Sequence, residues 1–254
     1  MKADEVRQLA LAEESFWWHR GRQRIVKRML DRYVPRGSQI LDIGCGPGGT
    51  TLAYSESHRV LGVDASIESA RRARDRGIAV ATMDATCLGI RPQSCDAIVS
   101  LDLLEHVADD EHALREMYAA LRPGGVLVVT VPAYQFLWSS HDEAVGHLRR
   151  YTKGPLRRLV QAAGFEVMLD AYVMSSILPA AIVMRLAERF RPRRAAPVAN
   201  FTTLPRVLNA ALERIVGLGP MPLRFVSIPF GLSIAIVARR PPLDDGLTSL
   251  RRDR

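Results

Sequence analysis

Three glycines and three acids are spaced to grip a nucleoside. Gly44, Gly46 and Gly49 lie in the run Leu41-Asp42-Ile43-Gly44-Cys45-Gly46-Pro47-Gly48-Gly49, between an apolar segment and a helical one. Glycine tolerates positive φ and lets a ligand approach the backbone. The helix behind the loop offers unpaired N–H groups. Asp64 comes 22 residues after Asp42, where a carboxylate closing the next strand can take two hydrogen bonds from a ribose diol. Asp84 follows a third strand, placed to meet an adenine amino group. The glycines also satisfy the G-x-G-x-x-G dinucleotide pattern, so on this loop alone an NAD-dependent oxidoreductase stays open. Asp42 tilts against it, because an acid two residues before the first glycine repels a pyrophosphate and welcomes an ammonium or sulfonium.

A second group of residues could move protons. Histidine is the usual acceptor near neutral pH, and the chain has six. His106 lies in Leu101-Asp102-Leu103-Leu104-Glu105-His106-Val107, at the end of a fourth strand, where it either serves an acceptor or packs. His141, Asp142, His147, Arg149, Arg150 and Tyr151 crowd the loop after a fifth strand. There His141 could act as base with Asp142 orienting it. His147, Arg149, Arg150 and Tyr151 would face a substrate, the arginines gripping a carboxylate or phosphate. The alternative is a structural loop in which Asp142 pairs with Arg149 or Arg150. The set His141, Asp142 and His147 matches no strong metal-ligand template, so no metal is expected.

The elements that must position these residues alternate. Apolar spacing predicts a helix over 4–32, ended by Pro35-Arg36-Gly37. Short apolar runs predict strands at 40–43, 59–63, 78–83, 95–101, 126–131, 165–169 and 232–238. Helices are predicted at 50–57, 67–76, 110–121 and 153–163. Near-continuous apolar strands suit a sheet covered on both faces. The fold expected is α/β: a doubly wound, Rossmann-like, seven-stranded and mostly parallel sheet, with a helical insertion between the last two strands.

In these motifs the sequence resembles the class I S-adenosylmethionine (SAM) dependent methyltransferases, small-molecule branch (type 11/12-like). The likeness is carried by Leu41 to Gly48, Gly62-Val63-Asp64, Asp84-Ala85, Leu104-Glu105-His106-Val107 and Arg122-Pro123-Gly124-Gly125. It implies SAM as cofactor, with Asp42, Gly44, Cys45, Gly46, Gly48, Asp64, Ala65, Asp84, Ala85 and Leu101 around it. Gly44 and Gly46 would pack under the methionine part, and Leu101 would lie near its amine. His106 would stand beside the sulfonium. An N-terminal helix covers the pocket in the resembling enzymes, so Arg20 or Arg22 would reach the methionine carboxylate. Methyl transfer requires nucleophile, methyl and sulfur in line, and a hydroxyl acceptor also needs a base. His106, His141 and Asp142 are the catalytic expectation.

The chain has 254 residues and a formal charge of +8. The first 146 residues carry 17 basic and 20 acidic side chains, whereas the rest carry 18 and 7. The expected division is an N-terminal cover (1–38), a SAM-binding core (39–171), an apolar and basic insertion (172–230), a last strand (231–240) and a tail (241–254). The insertion suits a lid, a homodimer interface or a surface in peripheral membrane contact. Its apolar stretch from Ala171 to Met184 is too short to span a bilayer and reads as one buried, capping or interfacial helix. Charge mixed with apolar residues favours a small amphiphilic or anionic acceptor, methylated most readily at oxygen, over a nucleic acid. N- or C-methylation, a lipid-linked acceptor and a SAM-binding protein without chemistry remain alternatives. Three scattered cysteines and no visible signal segment suggest a cytoplasmic protein, or one peripheral to the membrane's inner face.

Overall fold

In the computed structural model, which describes residues 3–189, 205–217 and 228–243, two helices precede the sheet. They are α1 (Ala3–Ser15) and α2 (Trp17–Tyr33). Alternation then begins with β1 (Gln39–Ile43), α3 (Gly49–Ser55), β2 (Arg59–Asp64), α4 (Ile67–Asp75), β3 (Ala79–Thr82), β4 (Cys95–Leu101), α5 (Asp110–Ala120) and β5 (Leu121–Pro132). Past the fifth strand come α6 (Ser140–Val145), α7 (Lys153–Ala162), β6 (Glu166–Val173), α8 (Leu178–Arg189), α9 (Arg206–Gly217) and β7 (Ser233–Arg239). The strands form one seven-stranded sheet in the order β3-β2-β1-β4-β5-β7-β6. β7 runs antiparallel to both neighbours and the other pairings are parallel. This is the expected Rossmann-like sheet, with its insertion between β6 and β7.

The central strands are apolar because helices cover both faces. Ile98, Leu127, Val129 and Ile236 pack with α5 and α7 on one side, and Ala97, Val99, Val128 and Val237 with α2 on the other. Local signals start the helices. Ser66 Oγ accepts from the Ser69 amide at the start of α4, and Asp109 Oδ1 from the His112 amide at the start of α5. Capping side chains satisfy donors that the first turn leaves unpaired.

Two expectations are corrected. The helix expected over 4–32 breaks at Phe16, whose backbone is extended. A break strands polar backbone groups, and Asn209 of α9 satisfies two of them. Its Oδ1 accepts from the Trp17 amide and its Nδ2 donates to the Ser15 carbonyl. The stretch from Ala171 to Met184 is not one helix. It contains the end of β6, a short 3₁₀ turn (Ser175–Ile177) and the start of α8, with Pro179 in the first turn, where a missing N–H costs nothing.

α9 is held tightly to α2. Arg20 and Arg24 both pair with Glu213, and Arg28 donates to the Gly217 carbonyl. The helices touch at Gly21, where an added Cβ would lie 2.5 Å from Val216 Cγ1. Among the described residues, no helix is long and apolar enough to cross a membrane. The run Arg191, Arg193 and Arg194, with Pro220, Pro222 and most of the expected tail, lies outside the described residues.

Candidate active site

Strand ends place the candidate residues together. β1, β2, β4 and β5 are parallel neighbours, so the glycine loop, Asp64, the 102–106 turn and the loop after Pro132 all leave the sheet's carboxyl edge. Open α/β sheets bind ligands there. Gly44 and Gly46 have φ of +76° and +56°, and an added Cβ at Gly46 would meet only Leu9 Cδ2, at 3.9 Å. Asp64 Oδ2 accepts from the Gly46 amide at 2.9 Å and Oδ1 from the Ser66 amide at 2.8 Å. The carboxylate is thereby locked in one orientation, while each oxygen keeps a further lone pair. Burial raises its pKa. Ala65 is exposed beside it. Asp84 is also exposed, and its Oδ1 folds back on the Thr86 amide and hydroxyl; those bonds lower its pKa. Ala85 is buried behind it.

Four residues of the expected cofactor shell turn inward. Asp42 is 2% exposed, and its Oδ2 accepts from the hydroxyls of Thr51 and Tyr54. Its side chain is therefore a strut between β1 and α3, and burial pushes its pKa up to about 6. Cys45 packs its sulfur against Gly62, which leaves only its backbone to face the loop. The Leu101 side chain belongs to the core beneath α2. Gly48 answers to packing: φ is +85°, and an added Cβ would stand 2.5 Å from Ile78 Cδ1. Strain and overpacking together give Gly48→Ala an expected cost of about 2–4 kcal/mol, read as a lowered Tm in thermal unfolding.

Arg22 comes from α2 over the strand ends. It pairs with Asp102, the residue after β4, and its guanidinium lies 4.9 Å from the Trp18 ring centroid. Asp102 has φ of +50° and accepts from Thr130 Oγ1. Its Arg22 pairing was not foreseen, although it opens the Asp102-to-His106 turn. Arg22 Nε is buried with no hydrogen-bond partner among the described residues. Arg20 instead serves Glu213 and the Glu14 carbonyl. Glu13, also unforeseen, reaches from α1 to accept from the Gly49 amide and meet Arg76. An anion there complements the partial positive charge at the start of α3.

The histidine loop is wired differently from the expectation. Asp142 does not orient His141. Its Oδ1 faces His147 Nδ1 at 2.8 Å, and Arg150 grips both oxygens through Nε and Nη2. Ser139 donates its amide and hydroxyl to Oδ2, completing a capping box at α6. Although buried, Asp142 is held well below the usual carboxylate range by His147, Arg150 and Ser139. A neighbour in sequence on a helix points elsewhere, whereas His147 returns after the turn at Gly146. The expected substrate grip is likewise spent internally. Arg149 pairs with Asp110 and the Ala108 carbonyl, Arg150 also donates to the Ala133 carbonyl, and the buried Tyr151 hydroxyl lies 2.7 Å from Asp110 Oδ2.

His106 and His141 remain at the surface of this region. His106 is exposed, with Nδ1 3.3 Å from the Gly146 carbonyl, and its ring meets His147 edge-on. His141 is half-buried, with its ring edge-on to His147 at 6.5 Å between centroids. Burial lowers both pKa values, with His147 adding to the effect on His106 and Arg185 on His141. Both imidazoles, beyond the ends of β4 and β5, thus hold a proton less readily than a free histidine.

A family model described as a methyltransferase domain matches residues 17–169. The chain belongs to that family. The chain is similar to a protein of Mycolicibacterium smegmatis named "Probable S-adenosylmethionine-dependent methyltransferase", with 30% identity over 62% of each chain. It is 32% identical to trans-aconitate 2-methyltransferase of Azoarcus sp., over 60% of this chain and 57% of that one. With the tRNA (carboxymethyluridine(34)-5-O)-methyltransferase of Macaca fascicularis it shares 30% identity over 57% of this chain and 21% of that protein. The chain thus spans less than two thirds of each of these relatives. The solved phosphoethanolamine N-methyltransferase 2 of Haemonchus contortus, in complex with SAM, has a TM-score of 0.57, with 22% identity over 85% of this chain and 52% of that one. It shares the fold.

SAM is the cofactor of this family, and the residues fit it. The open backbone at Gly46, the fixed Asp64 carboxylate, the exposed Asp84 and the orphaned Arg22 Nε offer the acceptors and the cation that a nucleoside bearing a carboxylate would need.

Proposed function

We propose that this methyltransferase transfers the methyl group of SAM to an oxygen of a small anionic or amphiphilic acceptor. The carrying observation is the cluster of His106 and His141 around His147 beyond β4 and β5, where Arg22 pairs with Asp102. When bound, SAM supplies a sulfonium methyl as electrophile. Asp64 would hold the ribose, Asp84 with the Ala85 backbone the adenine, and Arg22 the methionine carboxylate. His141 accepts the acceptor's proton, because its ring nitrogens have no hydrogen bond among the described residues and its pKa is depressed. The insertion, with α9 fastening α2 and Val183 and Met184 exposed on α8, forms the acceptor-side cover of the core. The relative named for trans-aconitate supports a small acid; the one named for tRNA keeps a second acceptor in the test.

The test is transfer of radiolabelled methyl from SAM into small-molecule extract fractions and, separately, into tRNA. Label in the small-molecule fractions is expected; label in tRNA alone would replace that half of the reading. His141→Gln is expected to lower kcat by about 10²–10⁴-fold with SAM affinity retained in calorimetry. Loss of a proton activates the base, so parental kcat should rise with pH through a value below the ordinary histidine range and then level off. A variant with full turnover across the pH range would remove His141 as base.

A further inference from the structure

Glu105 is fully buried, and neither carboxylate oxygen has a hydrogen-bond partner among the described residues. A buried, unsatisfied carboxylate is costly. Two imidazoles converge on it. Glu105, His106 and His147 each offer one ligand atom, and these atoms all lie within 4.8 Å of one another. His147 Nε2 is 3.8 Å from Glu105 Oε1.

The surroundings set both rings in the ligand tautomer. Asp142 accepts at His147 Nδ1, and the Gly146 carbonyl accepts at His106 Nδ1. Each Nδ1 therefore donates, which turns Nε2 of His147 toward Glu105 and leaves the second nitrogen of His106 for a ligand. A carboxylate or carbonyl behind an imidazole is the usual support of a metal-binding histidine. Arg150 and Ser139 fix Asp142 in turn. His106 is exposed.

We infer that Glu105, His106 and His147 form a binding site for one first-row divalent transition-metal ion, with open positions toward the acceptor. Two imidazoles and one carboxylate suit Zn²⁺, Mn²⁺, Fe²⁺ or Co²⁺ better than Ca²⁺ or Mg²⁺. Bonds of about 2.0–2.2 Å require only a modest contraction of the cluster. Resting on the proposed oxygen methylation, the ion's role is to hold the acceptor oxygen and ease loss of its proton to His141. The sequence pointed elsewhere: Glu105 and His106 are adjacent, but their partner lies past the Gly146 turn, and the trio first considered contained the supporting Asp142.

The experiment uses the full chain, free of any histidine tag and stripped with a chelator, titrated with Zn²⁺, Mn²⁺ and Co²⁺. Saturable binding of one equivalent, a raised Tm and a Co²⁺ visible band showing nitrogen ligation are expected. Glu105→Gln and His147→Gln should abolish these. The exposed His106→Asn tests the site without disturbing the core and should weaken binding by at least about 10-fold. Absence of saturable binding, or equal binding by His106→Asn and the parent, overturns the inference, with Glu105 then a protonated acid. SAM affinity and label transfer measured on the same stripped protein separate the two outcomes. Transfer at full rate without metal removes the ion's role in transfer, absent binding removes the site, and metal uptake without SAM binding sinks the methyltransferase reading alone.

Discussion

Arg22→Met is expected to raise the Kd for SAM by about 100-fold, equivalent to about 2.7 kcal/mol. The guanidinium is pinned by Asp102 and the Trp18 face, so it arrives in place with little further ordering. Its side chain is only 11% exposed, which limits screening by water. Met keeps the packing of the stem but leaves a carboxylate of the ligand, and Asp102 itself, without their cation. Arg22→Lys should fall between, because an ammonium keeps the charge and loses the planar fork. Titration calorimetry gives the affinities, and thermal unfolding in the absence of SAM separates lost binding from lost folding. A Kd within about threefold of the parent would place the methionine carboxylate elsewhere.

Asp142→Ala is expected to destabilise the protein by about 3–5 kcal/mol and to lower Tm by about 10 °C. The carboxylate is fully buried, and so, almost entirely, is Arg150; removing one strands the other. The pH dependence follows from the direction of the shift. The folded-state pKa of Asp142 lies below its unfolded value. Its stabilisation is therefore complete above about pH 4–5 and declines as pH falls through the folded value, in strong acid. From pH 5 to 8, Asp142 itself should make the gap between parent and variant nearly constant. Equilibrium unfolding at several pH values checks this. A gap that closes on moving from pH 5 to 8 would show that Asp142 is not the charged centre of the loop.

The sheet was legible in the sequence because strands buried on both faces are apolar along most of their length, as at Val126–Val131, where Thr130 is the one polar residue. Asp64 was legible because a strand end followed by a helix leaves few places for an acid. Contacts between distant segments were not. Nothing near Phe16 shows that Asn209 will take up its neighbours' backbone groups. Nothing near Asp42 reveals that its charge is absorbed by Thr51 and Tyr54. In the histidine loop the expected residues lie close together, but their pairings differ from the expectation. His141 adjoins Asp142 in sequence, yet the turn at Gly146 gives that carboxylate to His147. Glu13 and Asp102 were missed because each looks like an ordinary surface acid until the helix or strand around it is placed.

The hold of α9 on α2 also fixes an order in time. Synthesis delivers Arg22 early and Asn209, Glu213 and Val216 late. The break at Phe16, the arginines Arg20 and Arg24, and the close contact at Gly21 all wait for partners nearly 200 residues downstream. Contacts so distant in sequence form slowly. During synthesis α2 is therefore complete well before the α9 contacts that finish seating it, and a chain interrupted before α9 would lack the partners of Arg20, Gly21 and Arg24.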